Sequence, residues 1–179
     1  MLTLNTKVDT ADVIDGELVL PFALREKSRQ RATLRSGEEV ALFTVRGTVL
    51  RDGDLLQGSE GNGSTRVIRI VADSEVTYRV ACDSAASLLR CAFHLGNRHT
   101  QAQVGSDVGG SFLRIRRDPV LKEMLIGLGA VVTDETAEFE PEAGAYGGGH
   151  HRHDGEPSGN LLAPVPLRQK IHRPTDPAE

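Results

Sequence analysis

Apolar positions in the first 74 residues fall in short runs. Leu18-Val19-Leu20, Ala32-Thr33-Leu34, Val40-Ala41-Leu42-Phe43, Thr48-Val49-Leu50 and Val67-Ile68-Arg69-Ile70 are separated by the turn-forming pairs Asp15-Gly16, Ser36-Gly37, Asp52-Gly53 and Asn62-Gly63. Asp-Gly and Asn-Gly accept positive φ and favour tight hairpins. Strands at this spacing predict a small all-β sandwich or barrel over residues 1–74. The pattern then changes. Residues 75–81, EVTYRVA, alternate as a strand does. Asp83 or Ser84 can cap a helix in which Ala85, Leu88, Leu89, Ala92 and Leu95 recur at helical spacing, with Gly96 expected as its left-handed end. Two strands, 100–104 and 111–116, flank the turn at Gly109-Gly110. Asp118-Pro119 opens a second helix with Val120, Leu121, Met124, Leu125 and Leu128 on one face, ended by Gly129. Residues 130–139 read as a last strand.

The order β-α-β-β-α-β over residues 75–143 is the split βαβ, ferredoxin-like arrangement. It predicts two helices on one face of a four-stranded antiparallel sheet, with the other face solvated or meeting a partner. Beyond Pro141 the periodicity stops. Residues 144–179 contain a glycine run, four histidines and five of the eight prolines. With no apolar face to offset ordering entropy, they are expected to form a flexible tail. The fold class is therefore α+β: an all-β N-terminal domain, a ferredoxin-like domain and a His-containing tail.

Composition narrows the function. The chain has 179 residues, 39 % hydrophobic and 26 % charged, which suits a globular protein. A net charge of -4 gives no bulk drive toward nucleic acid or anionic lipid. No stretch approaches the roughly 20 apolar residues that span a bilayer. The N-terminus, MLTLNTKVDTAD, lacks a basic start and apolar core, so a cytoplasmic location with Cys82 and Cys91 reduced is expected. Neither a phosphate loop nor a nucleophile elbow is present, and no convincing acid/base pair stands out, so an enzyme is not expected.

Histidine is the informative residue. His94 and His99 are five positions apart, about 140° around a helix axis, and Gly96 and Asn97 interrupt the helix between them. They do not form a two-ligand helical site. His94 in a last helical turn suits capping or packing. A lone His99 is too few donors for a metal, unless two chains pair about a two-fold axis and bring two copies together. His150, His151 and His153 form a short tract of the kind that binds metal, tethered at high effective concentration. Imidazole suits zinc, copper, iron and nickel, and does not choose among them.

Four segments together resemble a known family. HLGNRH (94–99), FEPEAGAY (139–146), RGTVLRDGD (46–54) and KSRQRATL (27–34) are similar to the UreE family of urease accessory proteins, the nickel metallochaperones of urease maturation. The resemblance implies a peptide-binding-like β domain and a metal-binding ferredoxin-like domain. It implies a homodimer, with pairing of dimers left open, that holds Ni2+ as cargo between its C-terminal domains. Its partners would be the GTPase UreG and the apo-urease pre-activation complex. The last histidine of GNRH, here His99, would be the shared ligand. His150, His151 and His153 would assist, and Zn2+ or Cu2+ would compete. Where some members carry extra histidines before the second helix, this chain reads Arg116-Arg117-Asp118-Pro119, so those auxiliary sites should be missing.

Other clusters have competing readings. Arg25, Lys27, Arg29 and Arg31 would share one face of an extended strand, as a binding strip or a solvated edge. Arg114, Arg116 and Arg117 have Glu138, Glu140 and Glu142 as candidate cross-strand complements. Cys91 reads as a buried thiol. The rival functions are a peptide-binding co-chaperone with incidental histidines and a zinc- or copper-buffering protein.

Overall fold

In the computed structural model, residues 1–61 and 63–143 are described. Among them the chain alternates strands and helices as β1 (Leu2–Val8), β2 (Gly16–Leu20), α1 (Phe22–Arg25), β3 (Arg29–Thr33), β4 (Glu39–Phe43), β5 (Leu55–Ser59), β6 (Thr65–Ala72), β7 (Ser74–Ala81), α2 (Ala85–Gly96), β8 (Ala102–Asp107), β9 (Gly110–Arg116), α3 (Pro119–Gly127) and β10 (Val131–Glu138). The expected tail, 144–179, lies outside the described residues. No helix among the described residues is long and apolar enough to cross a membrane.

The first six strands form one sheet in the order β2-β6-β5-β1-β4-β3. Leu2 and Leu4, Leu18 and Leu20, Val40 and Leu42, and Ile68 and Ile70 each sit two apart and are buried in one cluster. Period-two spacing puts each pair on the same face of its strand, and that face is the core. The strands at β1/β4 and β2/β6 run parallel and the other pairs antiparallel. At Gly58 the β5 backbone passes so close to the Thr3 carbonyl that any Cβ would collide with it, beside a register shift in the β1/β5 ladder. Thr48-Val49-Leu50, expected as a strand, is a loop: the Leu50 N–H donates to the Arg25 carbonyl at 3.0 Å instead of joining a ladder.

The remaining strands form an antiparallel sheet in the order β10-β7-β9-β8. That is the strand order the β-α-β-β-α-β pattern predicts. Tyr78, Val80, Leu113 and Ile115 pack with Cys91 and Leu95 of α2 and Leu125 of α3 in a second core. The alternate positions carry charge. Arg114 pairs with Glu135 at 2.6 Å, and Arg79 pairs with Asp107 at 2.9 Å while lying 3.7 Å from the Phe112 ring centroid. Both helix starts follow the sequence. Ser84 Oγ accepts from the Ser87 N–H, and the Asp118 carboxylate accepts from the Val120 and Leu121 N–H groups, with Pro119 in the first turn.

The described residues form one compact unit, and a buried joint ties its two sheets together. Arg25 has no exposed surface. It donates to the carbonyls of Leu20 (3.1 Å), Leu50 (3.2 Å) and Phe139 (2.6 Å) and pairs with the Glu140 carboxylate. Glu140 also accepts from Arg51 at 3.0 Å and from the Asp52 N–H at 3.2 Å. The Phe22 and Phe139 rings meet edge to face, 5.5 Å apart. Arg25 therefore leaves the expected basic strip: it sits in α1 and faces the core, and β3 starts only at Arg29. Glu140 complements Arg25 and Arg51, not the arginines of β9. Two of the segments that carried the resemblance, RGTVLRDGD and FEPEAGAY, meet here through Arg51 and Glu140.

Candidate functional site

The apolar face of α2 holds the helix down as far as Leu95, which is 1 % exposed. The chain then turns sharply through Gly96, Asn97 and Arg98 to His99. The Thr100 N–H donates to the Leu95 carbonyl at 3.1 Å, and the His99 N–H donates to the Gly96 carbonyl at 2.9 Å. This nested pair is a Schellman ending with His99 at the left-handed position. His99 has φ 53°, and it is the one positive-φ residue other than glycine among the described residues. The sequence reading put that conformation at Gly96. Gly96 is instead the last helical residue, because glycine permits a left-handed turn but does not force one. Histidine is among the side chains that tolerate this region.

The turn sets His99 on an exposed rim between two pockets. One, of about 530 Å3, is lined by Glu26, Arg98, Arg116, Arg117, Asp118 and Leu121 as well as by residues 99–101. Its three arginines outnumber its two acids. Arg116 donates to Gln101 at 2.9 Å, and Gln101 donates to Glu26 at 2.7 Å, so part of that charge is already engaged. The other pocket, of about 440 Å3, is mainly apolar, and Glu142 is the acidic residue in its lining. A cation approaching His99 meets net positive charge on the first side and a carboxylate on the second. The Arg116-Arg117-Asp118 segment thus lies at His99 itself.

His94 is in the last turn of α2, half-buried, with its ring edge to face against Phe93 at 5.6 Å. It lines neither pocket beside His99. Among the described residues no three His, Cys, Asp or Glu side chains converge as a metal site. His150, His151 and His153 lie outside the described residues. What the described residues supply is one exposed imidazole with a carboxylate in the same pocket.

A surface the sequence reading missed adjoins it. Leu89 and Phe93, one helical turn apart on α2, are 70 % and 64 % exposed. Helical spacing in the sequence assigns both Leu88 and Leu89 to the core face, but the two cannot point the same way, and Leu88 is the one packed inward. Between α2 and the edge strand β8 runs an apolar groove of about 470 Å3. Ala92, Val104 and Leu113 line both this groove and the pocket holding His99 and Glu142, so the two are continuous. The signal available in the sequence was an α2 with apolar residues on more than one stripe.

Comparison with known proteins agrees with this architecture. Residues 4–73 match the family described as UreE urease accessory protein, N-terminal domain, and residues 75–160 match UreE urease accessory protein, C-terminal domain. The chain is 65 % identical over 187 aligned residues, spanning all of both chains, to the urease accessory protein UreE of Janthinobacterium sp. (strain Marseille). It is 61 % identical over 180 residues, 98 % of each chain, to that of Nitrosospira multiformis. To that of Ralstonia nicotianae it is 47 % identical over 157 residues, covering 87 % of this chain and 71 % of the relative.

Proposed function

The chain belongs to the UreE family of urease accessory proteins, and from that membership we propose that it is a nickel metallochaperone whose cargo site is built from His99 of two paired chains. As a urease accessory protein it serves urease maturation and is not itself an enzyme. The observation that carries the metal reading is the placement of His99. It is exposed, free of the core, held at a fixed backbone turn, and continuous with an unpartnered apolar groove.

One imidazole is too few for a transition metal. Pairing two chains through the α2 face would bury Leu89, Phe93 and Val104 and bring two His99 rings to one place. The tail supplies further donors. Glu142 is fixed to β8 by its N–H bond to the Ala102 carbonyl at 2.9 Å. His150 lies eight positions further along, and that length of extended chain reaches up to about 27 Å. His150, His151 and His153 can therefore close over the shared site or pass the ion on. Zn2+ and Cu2+ would compete for the same nitrogens. The protein acts in the cytoplasm, as a homodimer or a pair of dimers. It hands nickel to the apo-urease complex with UreG, and the N-terminal sheet engages protein partners.

Equilibrium dialysis against Ni2+ tests the reading. His99→Ala is expected to lose the tight nickel and keep its fold. Truncation after residue 149 is expected to lower stoichiometry while retaining the shared site. Nickel affinity and stoichiometry unchanged by His99→Ala would reject the assignment.

A further inference from the structure

The two cysteines play no part in the site just described. Cys82 follows β7 and is half-buried, whereas Cys91 lies within α2 and is fully enclosed. Nine residues apart, they are brought together by packing α2 on the sheet: their Sγ atoms are 3.9 Å apart. Cys91 belongs to the core with Val80, Leu95 and Leu113, and Cys82 packs against that core from its rim. Cys82 also lines the apolar groove, with Asp83 and Ser84. Of the two thiols Cys82 is therefore the less enclosed, with the Cys91 sulfur directly behind it. Burial, with the hydrogen bond to Cys82, pushes the Cys91 thiol up to about 11, so it stays protonated at neutral pH.

This geometry fits a half-buried attacking thiol backed by an enclosed resolving one, and differs from two isolated structural cysteines. We propose that Cys82 and Cys91 form a dithiol that a small peroxide oxidises to an intrachain disulfide. The Cys82 sulfur attacks one peroxide oxygen, the O–O bond breaks, and sulfenic acid forms as the leaving oxygen takes up the Cys82 thiol proton and departs as water. Cys91 sulfur then attacks the Cys82 sulfur; the S–O bond breaks and the hydroxyl departs as water with the Cys91 proton. The balance is two thiols and one hydrogen peroxide to one disulfide and two waters. The sulfurs have to close from 3.9 Å to a bonding distance of about 2.05 Å. The product would staple the end of β7 to the middle of α2, the helix whose C-terminal turn presents His99.

The test is intact-mass spectrometry of the full, reduced, metal-free chain after hydrogen peroxide, read under denaturing conditions. The wild type is expected to lose about 2 Da, two hydrogens, and to regain them with dithiothreitol. Cys91→Ala, unable to resolve, is expected to gain about 16 Da at Cys82 and to be trapped there by dimedone. Cys82→Ala should keep its reduced mass at the same dose. A wild type that keeps its reduced mass, that moves directly to irreversible higher oxides, or that links chain to chain would overturn the proposal.

Discussion

The Arg25–Glu140 joint and the His99 turn are both set by a few side chains at the end of an element, yet they are built in opposite ways. Arg25 is wholly buried, donates to three backbone carbonyls and pairs with a carboxylate 115 residues away. His99 is exposed, and two local hydrogen bonds close the turn around it. The first arrangement cannot lose a member without stranding a charge. The second can lose its side chain with little structural consequence. The joint interlocks the two sheets, and the proposed metal site sits on an exposed rim.

The largest effect should come from the joint. Glu140→Ala leaves the Arg25 guanidinium buried and unpaired, and should lower stability by about 3–5 kcal/mol in urea unfolding. Joint replacement by Arg25→Met and Glu140→Leu should recover much of that loss, since no buried charge remains. If Glu140→Ala instead leaves stability intact and removes nickel, the two regions are not separate in the way described.

Next comes the proposed pairing face. Leu89→Asp with Phe93→Asp changes two exposed positions, so the isolated fold should hold within about 0.5 kcal/mol. Loss of about 2 kcal/mol at the contact would weaken dimerisation roughly 30-fold, measured by sedimentation equilibrium. Nickel binding should fall with it.

His99→Gly should separate the comparison most cleanly. It removes the imidazole and also suits the positive φ, so stability should hold or rise by about 0.5 kcal/mol while nickel is lost. Thermal unfolding and dialysis on the same sample would check both halves.

The smallest effect is acid sensitivity of the surface ion pairs. Lys122, with Arg117, holds the Asp134 carboxyl below its usual range, and Arg69, with Arg35, does the same for Glu17. The contribution of such groups is complete above the ordinary carboxylate pKa of about 4 and is lost as pH falls through their lowered folded values. Urea midpoints of wild type and Asp134→Asn should therefore converge as pH falls from about 4 through the lowered folded value, with the wild type fully ahead above about 4.

What the sequence disclosed follows from range. Strands with clean alternation, such as 65–72 and 74–81, and helices with strong caps, at Ser84 and at Asp118-Pro119, were legible because their determinants are local. The β-α-β-β-α-β order followed from them. Thr48-Val49-Leu50 reads as a short strand but is a loop, because the Arg25 backbone and side chain satisfy Leu50 from elsewhere in the chain. The short α1 was invisible for a related reason: one turn carries no periodicity, and Arg25 inside it resembles a surface residue until Glu140 is in place. His99 was legible as a candidate through its motif, but not as the left-handed residue, since the adjacent glycine carries the stronger local signal. The second apolar stripe of α2 was present in the sequence as Leu89 and Phe93, hidden by its adjacency to the core stripe.

Native mass spectrometry of the nickel-loaded wild type and His99→Gly tests the shared site most directly. Two chains carrying one tightly held Ni2+ are expected for the wild type, and metal-free dimers for His99→Gly. A single chain holding nickel as firmly as the pair, or a His99→Gly dimer that keeps the ion, would contradict a site made from one imidazole of each chain.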